Sequence, residues 1–352
     1  MTAKTLRIGF VGAGGNTRAR HLPLLKRIPG VELVAVANRT RESAAKVATE
    51  FGIARVEDDW RAVVEASDVD AVVIGTWPYL HAEVTIAALR AGKHVLTEAR
   101  MARDAAEAGL MLAESRGHPA LVAQIVPSPF SLDVDSTVAD ILERGEIGRI
   151  REVVLVHTTA SVADSAARQT WRQDFELSGF NTLTLGIYYE IAQRWLRRDP
   201  ETIIADAAVH TPSRPAVEGQ GMAEIQIPDS VTFSGQYAAD AAVFAPGARI
   251  VGHFSGVERG QPRNEVRVNG EKGTLRFDVG RQELFITTEG AEQTANVPAE
   301  ARRGWRVEED FVESIRTGAP VRLTDFASGL RYMRVTEAIW RSWSEGGVRT
   351  KV

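Results

Sequence analysis

The stretch Arg7-Ile8-Gly9-Phe10-Val11-Gly12-Ala13-Gly14-Gly15-Asn16-Thr17 decides the fold. A short apolar run enters a glycine-rich turn, and a segment carrying Leu22, Leu24 and Leu25 follows with the spacing of a helix. Strand, glycine turn and helix are the parts of a dinucleotide-binding βαβ unit, in the required order. Gly12 permits the tight turn, and Gly14 lets the backbone approach a pyrophosphate. Gly15, Asn16 and Thr17 then open a helix whose unpaired N–H groups and partial positive charge suit phosphates. Thr17 occupies the third slot of G-x-G-x-x-G, where glycine or alanine is usual.

Working outward, Val31–Ala37 reads as a second strand ending in Asn38-Arg39-Thr40. This is where a Rossmann unit carries the acid that bonds the adenosine ribose. Asn38 does not repel a 2′-phosphate as a carboxylate would, and Arg39 can pair with one, so NADP is mildly favoured over NAD. Helix-like Arg41–Phe51 and Trp60–Ala66 flank Val56, and Val69–Ile74 is a continuous apolar strand of the kind buried in a parallel sheet. A helix over Ala82–Ala91 leads to a strand ending at Thr97-Glu98, and Ala120–Ile125 is the last strand of this domain. The alternation predicts a doubly wound parallel sheet with its ligand at the C-terminal strand ends. The loops at that edge supply Thr76, Trp77, Pro78, His81, Glu98 and Ala99 as cofactor candidates, with Gln124 beside the nicotinamide.

The chain has 352 residues, a formal net charge of −4 and no cysteine. Its length allows two cores, and its charge gives no support to nucleic-acid or anionic-membrane binding. The lack of cysteine excludes disulfides and thiolate chemistry and suits a reducing cytoplasm. No signal-peptide pattern opens the chain, no apolar run reaches membrane-spanning length, and the seven histidines form no zinc signature.

Several segments together resemble the glucose–fructose oxidoreductase / inositol dehydrogenase / rhizopine-catabolism (Gfo/Idh/MocA) family. They are Gly12-Ala13-Gly14 with His21-Leu22-Pro23, Thr76-Trp77-Pro78-Tyr79-Leu80-His81, and Ala91-Gly92-Lys93-His94-Val95-Leu96. Gly145-Glu146-Ile147-Gly148, Val268 to Leu275 and Asp310-Phe311 through Gly318 continue the likeness over nearly the whole chain. The resemblance implies a Rossmann domain, a C-terminal domain on a large open sheet, NAD(P), and hydride transfer at a secondary alcohol of a sugar or cyclitol. It places His21 under the pyrophosphate loop.

The resemblance also implies a lysine in a Glu-Lys-Pro turn, and an aspartate and a histidine four residues apart. Here the turn is Glu98-Ala99-Arg100, and alignment on Gly186 puts Thr184 in the aspartate slot and Tyr188 in the histidine slot. Some family members carry tyrosine there. Leu183, Ile187, Ile191 and Trp195 recur at helical spacing, so Thr184 and Tyr188 share one face of a helix. Tyr188 is the candidate proton-transfer residue, with Thr184 beside it and Arg100 as the cation that would lower a phenol from its usual value near 10. Arg172, Asp174, His157 and Tyr189 are candidate substrate contacts; His157 equally suits a structural place on its strand, Arg151–Thr159.

From about Ile150 consecutive strands are expected: Thr202–Val209, Met222–Ile227, Val231–Tyr237, Arg249–Val257, Glu265–Val268, Thr274–Phe277 and Glu283–Thr287. Asn269-Gly270 is the clearest hairpin signal, and Ser213–Gln220 and Ala245–Gly247 read as loops. The expected fold class is α/β: a Rossmann domain over residues 1–124, then an α+β domain over 125–352 with an open, mostly antiparallel sheet. Its last helix, 325–345, would pack back toward the first domain, and the tail Val348–Val352 would add a strand there. An uncovered apolar sheet face argues for a homodimer or homotetramer. The leading expectation is an NAD(P)-dependent oxidoreductase on a carbohydrate-like or cyclic hydroxy or keto substrate. A redox-neutral lyase or glycosidase, and a non-catalytic dinucleotide- or sugar-binding regulator, are the alternatives.

Overall fold

The structure, a computed structural model, describes residues 5–217, 219 and 221–352. The chain forms two compact units. One runs to Pro127 and takes in Arg306–Leu330; the other comprises Ser128–Trp305 and Arg331–Val352. Arg306–Leu330 thus belongs to the first unit, whereas the sequence places it in the second domain.

In the first unit, β1 (Leu6–Val11), β2 (Val31–Ala37), β3 (Arg55–Glu57), β4 (Ala71–Ile74), β5 (His94–Thr97) and β6 (Ala123–Ile125) form one parallel sheet. Its order is β3-β2-β1-β4-β5-β6. Strand order therefore reverses between β1 and β4, which opens a crevice at their carboxyl ends. All of β4 and all of β1 except Arg7 are buried, so the apolar runs are the buried strands they resembled. The helices are α1 (Leu22–Arg27), α2 (Arg41–Phe51), α3 (Trp60–Glu65), α4 (His81–Arg90) and α5 (Ala105–Gly117). Thr40 caps α2 by accepting from the Ser43 amide, and Gly52 closes it in the left-handed conformation.

The sequence reading contains no helix at α5. Its apolar residues form no stripe: Ala108 and Met111 are buried, Leu110 is 61% exposed, and Gly109 lies between them. The one local signal is Asp104, whose carboxylate caps the Glu107 amide.

The second unit opens with α6 (Asp135–Glu143), likewise absent from the sequence reading, β7 (Ile150–Thr158), the short α7 (Phe175–Ser178) and α8 (Leu185–Leu196). Then come β8 (Pro200–Ala208), β9 (Ser213–Pro215), β10 (Met222–Glu224), β11 (Ser230–Tyr237), β12 (Phe244–Ser255), β13 (Asn264–Gly270), β14 (Thr274–Asp278), β15 (Glu283–Thr287) and β16 (Gln293–Thr294). The chain closes with α9 (Val307–Thr317) of the first unit, α10 (Phe326–Ser344) and β17 (Thr350–Lys351). A nine-stranded sheet runs β16-β15-β14-β13-β7-β12-β11-β8-β17. Only β7 and β12 pair in parallel, so the sheet is mixed and mostly antiparallel.

Several expectations shift. The expected loop Ala245–Gly247 lies inside β12, where the register with β7 jumps between Phe244 and Arg249; its Pro and Gly mark a bulge, not a break. Ser213–Pro215 pairs with Met222–Glu224 as a separate two-stranded sheet, so one expected strand leaves the large sheet and part of one expected loop is a strand. Glu218, Gln220 and Met1–Lys4 lie outside the described residues. The tail strand β17 pairs with β8, at the edge of the second unit's own sheet. Asn269 pairs with Thr274 and the Gly270 N–H donates to the Gly273 carbonyl, so the hairpin turns at Glu271-Lys272. Helix α8 begins after Leu183 and Thr184 and is buried nearly all round, Glu190 and Gln193 included, with Ile187 of the expected stripe only half-buried.

Along β11, Val231, Phe233 and Tyr237 are buried while Thr232, Ser234 and Gln236 are exposed. The opposite sheet face is not plainly apolar. Val154 and Val251 stand side by side, but the next rung of that face pairs Glu152 with Arg249.

Candidate active site

The glycine-rich turn meets the end of β4 at close quarters. Gly12 has φ +81, and a Cβ there would lie 2.6 Å from the Thr76 nitrogen. Gly75, beyond β4, is equally constrained: its Cβ would fall 2.1 Å from Thr17 Oγ1 and 2.3 Å from the Gly12 carbonyl oxygen. That accounts for Thr17 in the third slot. The threonine is buried, its hydroxyl donates toward the Gly12 carbonyl, and the small residue needed for close packing has moved to position 75. Gly14 and Gly15 are open; a Cβ on Gly15 would meet nothing within 4 Å.

A cavity of about 590 Å³ lies before this turn, bordered by Gly12, Gly14, Asn38, Arg39, Thr76 and Trp77. Asn38 Oδ1 accepts the Ala13 amide at 2.6 Å, fixing the turn to the end of β2. The Arg39 guanidinium stands 5.2 Å from the Trp77 ring centroid, and Thr40 and Ser43 line the same cavity. The cradle at Gly12 and Gly75 and the uncovered Gly14 and Gly15 fit a dinucleotide.

Other expected cofactor contacts serve the protein itself. His81 is buried, with Nε2 3.0 Å from the Thr76 carbonyl and Nδ1 2.9 Å from the Arg100 carbonyl. Burial lowers its basicity, so the neutral ring donates to one of these carbonyls, and with both nitrogens turned to the backbone neither is offered to a ligand. Gln124 is buried and donates to the Val307 carbonyl at 3.2 Å. Pro78 opens a short 3-10 turn, and the Ala99–Arg100 peptide bond is cis. The Glu98 carboxylate accepts from Asn16 and from His21. Sequence reasoning gave His21 a packing role and missed its partners, because one of them, Glu308, lies 287 positions away.

In the second unit Tyr188 is 1% exposed, and its oxygen is 2.9 Å from Nδ1 of His157 on β7. The rings of Phe130 and Phe254 pack 5.5 and 5.8 Å from the tyrosine ring. Burial pushes the phenol above its ordinary value, and the Asp278 charge adds to the effect. Burial also lowers His157, against the influence of the Asn264 side chain directly opposite on β13. Burial thus favours the neutral form of both partners, and in the tautomer with the ring proton on Nε2 the phenol donates to Nδ1. This corrects the expected lowering of Tyr188 by Arg100: among the described residues no cation offsets the burial.

Three more expectations change. Tyr189 is fully buried and donates to Asp199 at 2.6 Å, a carboxylate that also receives Arg331 Nε at 2.5 Å, so its hydroxyl is committed to the core. Asp174 caps α7 by accepting from the Leu177 amide. Thr184 sits at the N-cap position of α8, and its hydroxyl is shielded from solvent with no hydrogen-bond partner among the described residues. Arg172 lies 4.2 Å over the Trp171 ring.

Residues 6–124 match the family described as "Oxidoreductase family, NAD-binding Rossmann fold", and residues 136–276 match the "GFO/IDH/MocA C-terminal domain". The dTDP-3,4-didehydro-2,6-dideoxy-alpha-D-glucose 3-reductase of Streptomyces violaceoruber is 35% identical over 191 residues, 53% of each chain. The match thus spans about half of that relative's length. Inositol 2-dehydrogenase 4 of Saccharopolyspora erythraea is 30% identical over 240 residues, 67% of this chain and 66% of that one. Among solved structures, a levoglucosan dehydrogenase in complex with NADH and levoglucosan superposes with a TM-score of 0.85 at 22% identity, covering 99% of this chain and 100% of that one; the likeness is one of fold. Among the described residues no helix is long and apolar enough to cross a membrane. The two matches fall one in each unit and together span more than half of the sequence: the chain belongs to the Gfo/Idh/MocA oxidoreductase family.

Proposed function

We propose that this chain is an NAD(P)-dependent oxidoreductase interconverting a ring hydroxyl and a keto group on a sugar, cyclitol or related polyol. The observation that carries the reading is the 2.9 Å contact between the Tyr188 oxygen and His157 Nδ1. A substrate hydroxyl gives its proton to the Tyr188 oxygen as the tyrosine's own proton passes to His157. In the reverse direction the proton returns along the same bond. A phenol held neutral is a poor base alone but a good relay, and the neutral imidazole is the acceptor it needs. The pair does the work for which the family's usual aspartate and histidine are missing. The bound nicotinamide supplies hydride acceptor or donor chemistry.

Gly12, Gly14, Gly15 and the helical turn after Asn16 would hold the pyrophosphate. Thr76, Trp77 and Pro78 would border the dinucleotide, as would Glu98 and Ala99. Arg39, with the Thr40 and Ser43 hydroxyls beside it, would receive a 2′-phosphate, which favours NADP over NAD. Thr184, with its unpartnered hydroxyl, and Arg172 are the remaining candidates to hold substrate. A second copy would pair through the large sheet, giving a homodimer or homotetramer, across a face that mixes Val154 and Val251 with the Glu152–Arg249 ion pair, and the absence of cysteine suits a cytoplasmic setting.

The test is calorimetric binding of NAD(H) and NADP(H), then a polyol and keto-sugar screen read by reduced-nicotinamide absorbance. The proposal expects a Tyr188-dependent absorbance change and tighter binding of NADP(H). Binding of a dinucleotide with turnover but no net absorbance change would replace it with the redox-neutral reading.

A further inference from the structure

Beneath the glycine-rich turn lies a buried cluster in which His21 and Glu308 have no part in the proposed reaction, while Glu98 links them to the border of the dinucleotide site. His21, fully buried, presents Nε2 to Glu98 Oε1 at 2.9 Å and Nδ1 to Glu308 Oε1 at 2.5 Å. Glu308 comes from the first turn of α9 and is also fully buried. The same Glu98 oxygen accepts the side-chain amide of Asn16. Asn16 and His21 bracket the five-residue helical turn Thr17–His21 that follows the glycines. One carboxylate oxygen therefore ties both ends of that turn, and a second carboxylate holds the ring from behind.

A neutral imidazole has one N–H. It would leave a lone pair facing a carboxylate oxygen at one of two hydrogen-bonding distances, inside a low-dielectric core. The protonated ring donates to both. We infer that His21, as an imidazolium clamped between Glu98 and Glu308, is the positioning residue that holds the dinucleotide-binding turn in shape. The groups facing it are Glu98 beyond β5 and Glu308 on α9; His81 on α4 lies farther off and faces Glu98. Burial works against the charge, but the bonds to Glu308 and Glu98 outweigh it and hold the ring up to about 9. The brace is thus complete at neutral pH and fails as the ring loses its proton in alkaline solution.

The inference rests on the dinucleotide reading of the cleft, and the experiment separates the two. Calorimetry of NADP(H) and NAD(H) binding to the full chain would be run from about pH 7 to pH 10 on wild type, His21→Gln and Glu308→Gln. Wild-type affinity should fall about tenfold across that range, with a midpoint near 9. His21→Gln should bind weakly with a flat profile, and Glu308→Gln should move the midpoint to lower pH. A wild-type profile as flat as that of His21→Gln would overturn the inference. In parallel, the amide resonances of Gly15 and Asn16 would be followed by NMR in the ligand-free protein. They should move with the His21 titration, and stationary amides would equally sink the brace. Should wild type bind neither dinucleotide at any pH, the cofactor reading fails, and those same amides still decide the brace.

Discussion

The dinucleotide cleft and the tyrosine–histidine pair are built on opposite principles. In the cleft, the backbone is the functional surface, and side chains matter mainly by being absent. Gly12 and Gly75 are required because a Cβ at either would strike Thr76 or Thr17, and only glycine meets such a constraint, so the residue type itself marks each position. In the pair, two ordinary side chains 31 positions apart, one on a strand and one on a helix, acquire their chemistry only by being buried against each other. A backbone site is strict in residue type, whereas a side-chain site takes its chemistry from what surrounds it.

That difference predicts different failures. The largest effect is expected from Gly12→Ala. The new Cβ would sit on the Thr76 backbone at φ +81, so the protein should lose roughly 1–3 kcal/mol of stability and dinucleotide binding should drop below detection by calorimetry. A well-folded Gly12→Ala protein with wild-type affinity would remove the distinction altogether. Tyr188→Phe comes next. It leaves the packing against Phe130 and Phe254 in place and deletes the proposed proton path, so turnover should fall roughly 10²–10⁴-fold with cofactor affinity unchanged. Because burial lowers His157, its neutral, accepting form persists through pH 7. Alcohol oxidation should therefore decline only on the acid side, below the ordinary histidine value of about 6.5. His157→Asn should abolish that acid limb in stopped-flow pH profiles.

The sequence tells these regions apart with uneven clarity. The parallel sheet was legible because a strand buried on both faces must be a continuous apolar run, as Ala71–Ile74 is. Helix α5 was not, since Leu110 faces solvent and Gly109 breaks its pattern. Asp174 and Tyr189 looked like site residues because they are polar and near Tyr188 in sequence. A helix cap and a buried bond to Asp199 use them instead, and local composition cannot separate a cap from a contact. Tyr188 was found through the resemblance, but its partner His157 depends on strand register and helix packing. The Glu308 contact to His21 is less legible still, joining residues near opposite ends of the chain.

Arg39→Ala sharpens the comparison on the side-chain part of the cleft. The residue is exposed, stacked near Trp77 and beside two hydroxyls. NADP(H) affinity should fall about tenfold while NAD(H) affinity holds within about twofold. Equal losses for both cofactors would mean that Arg39 supports the adenine region through Trp77 and reads no phosphate.

The smallest change should come from Gly15→Ala, and it bears most directly on why the turn is rich in glycine. Gly12 is glycine because the protein itself crowds it. Gly15 is crowded by nothing within 4 Å, and its φ is not positive. Removing a glycine without strain restricts the unfolded chain and tends to stabilise by about 0.4–1 kcal/mol, so the melting temperature should hold or rise slightly. Dinucleotide affinity should nevertheless fall about threefold, because the added methyl stands where a pyrophosphate would approach. A raised melting temperature with weakened binding would show that this glycine is kept for the ligand alone. Unchanged binding would place the phosphates against Gly12 to Gly14 only, and the local, backbone-written part of the site would then end one residue earlier.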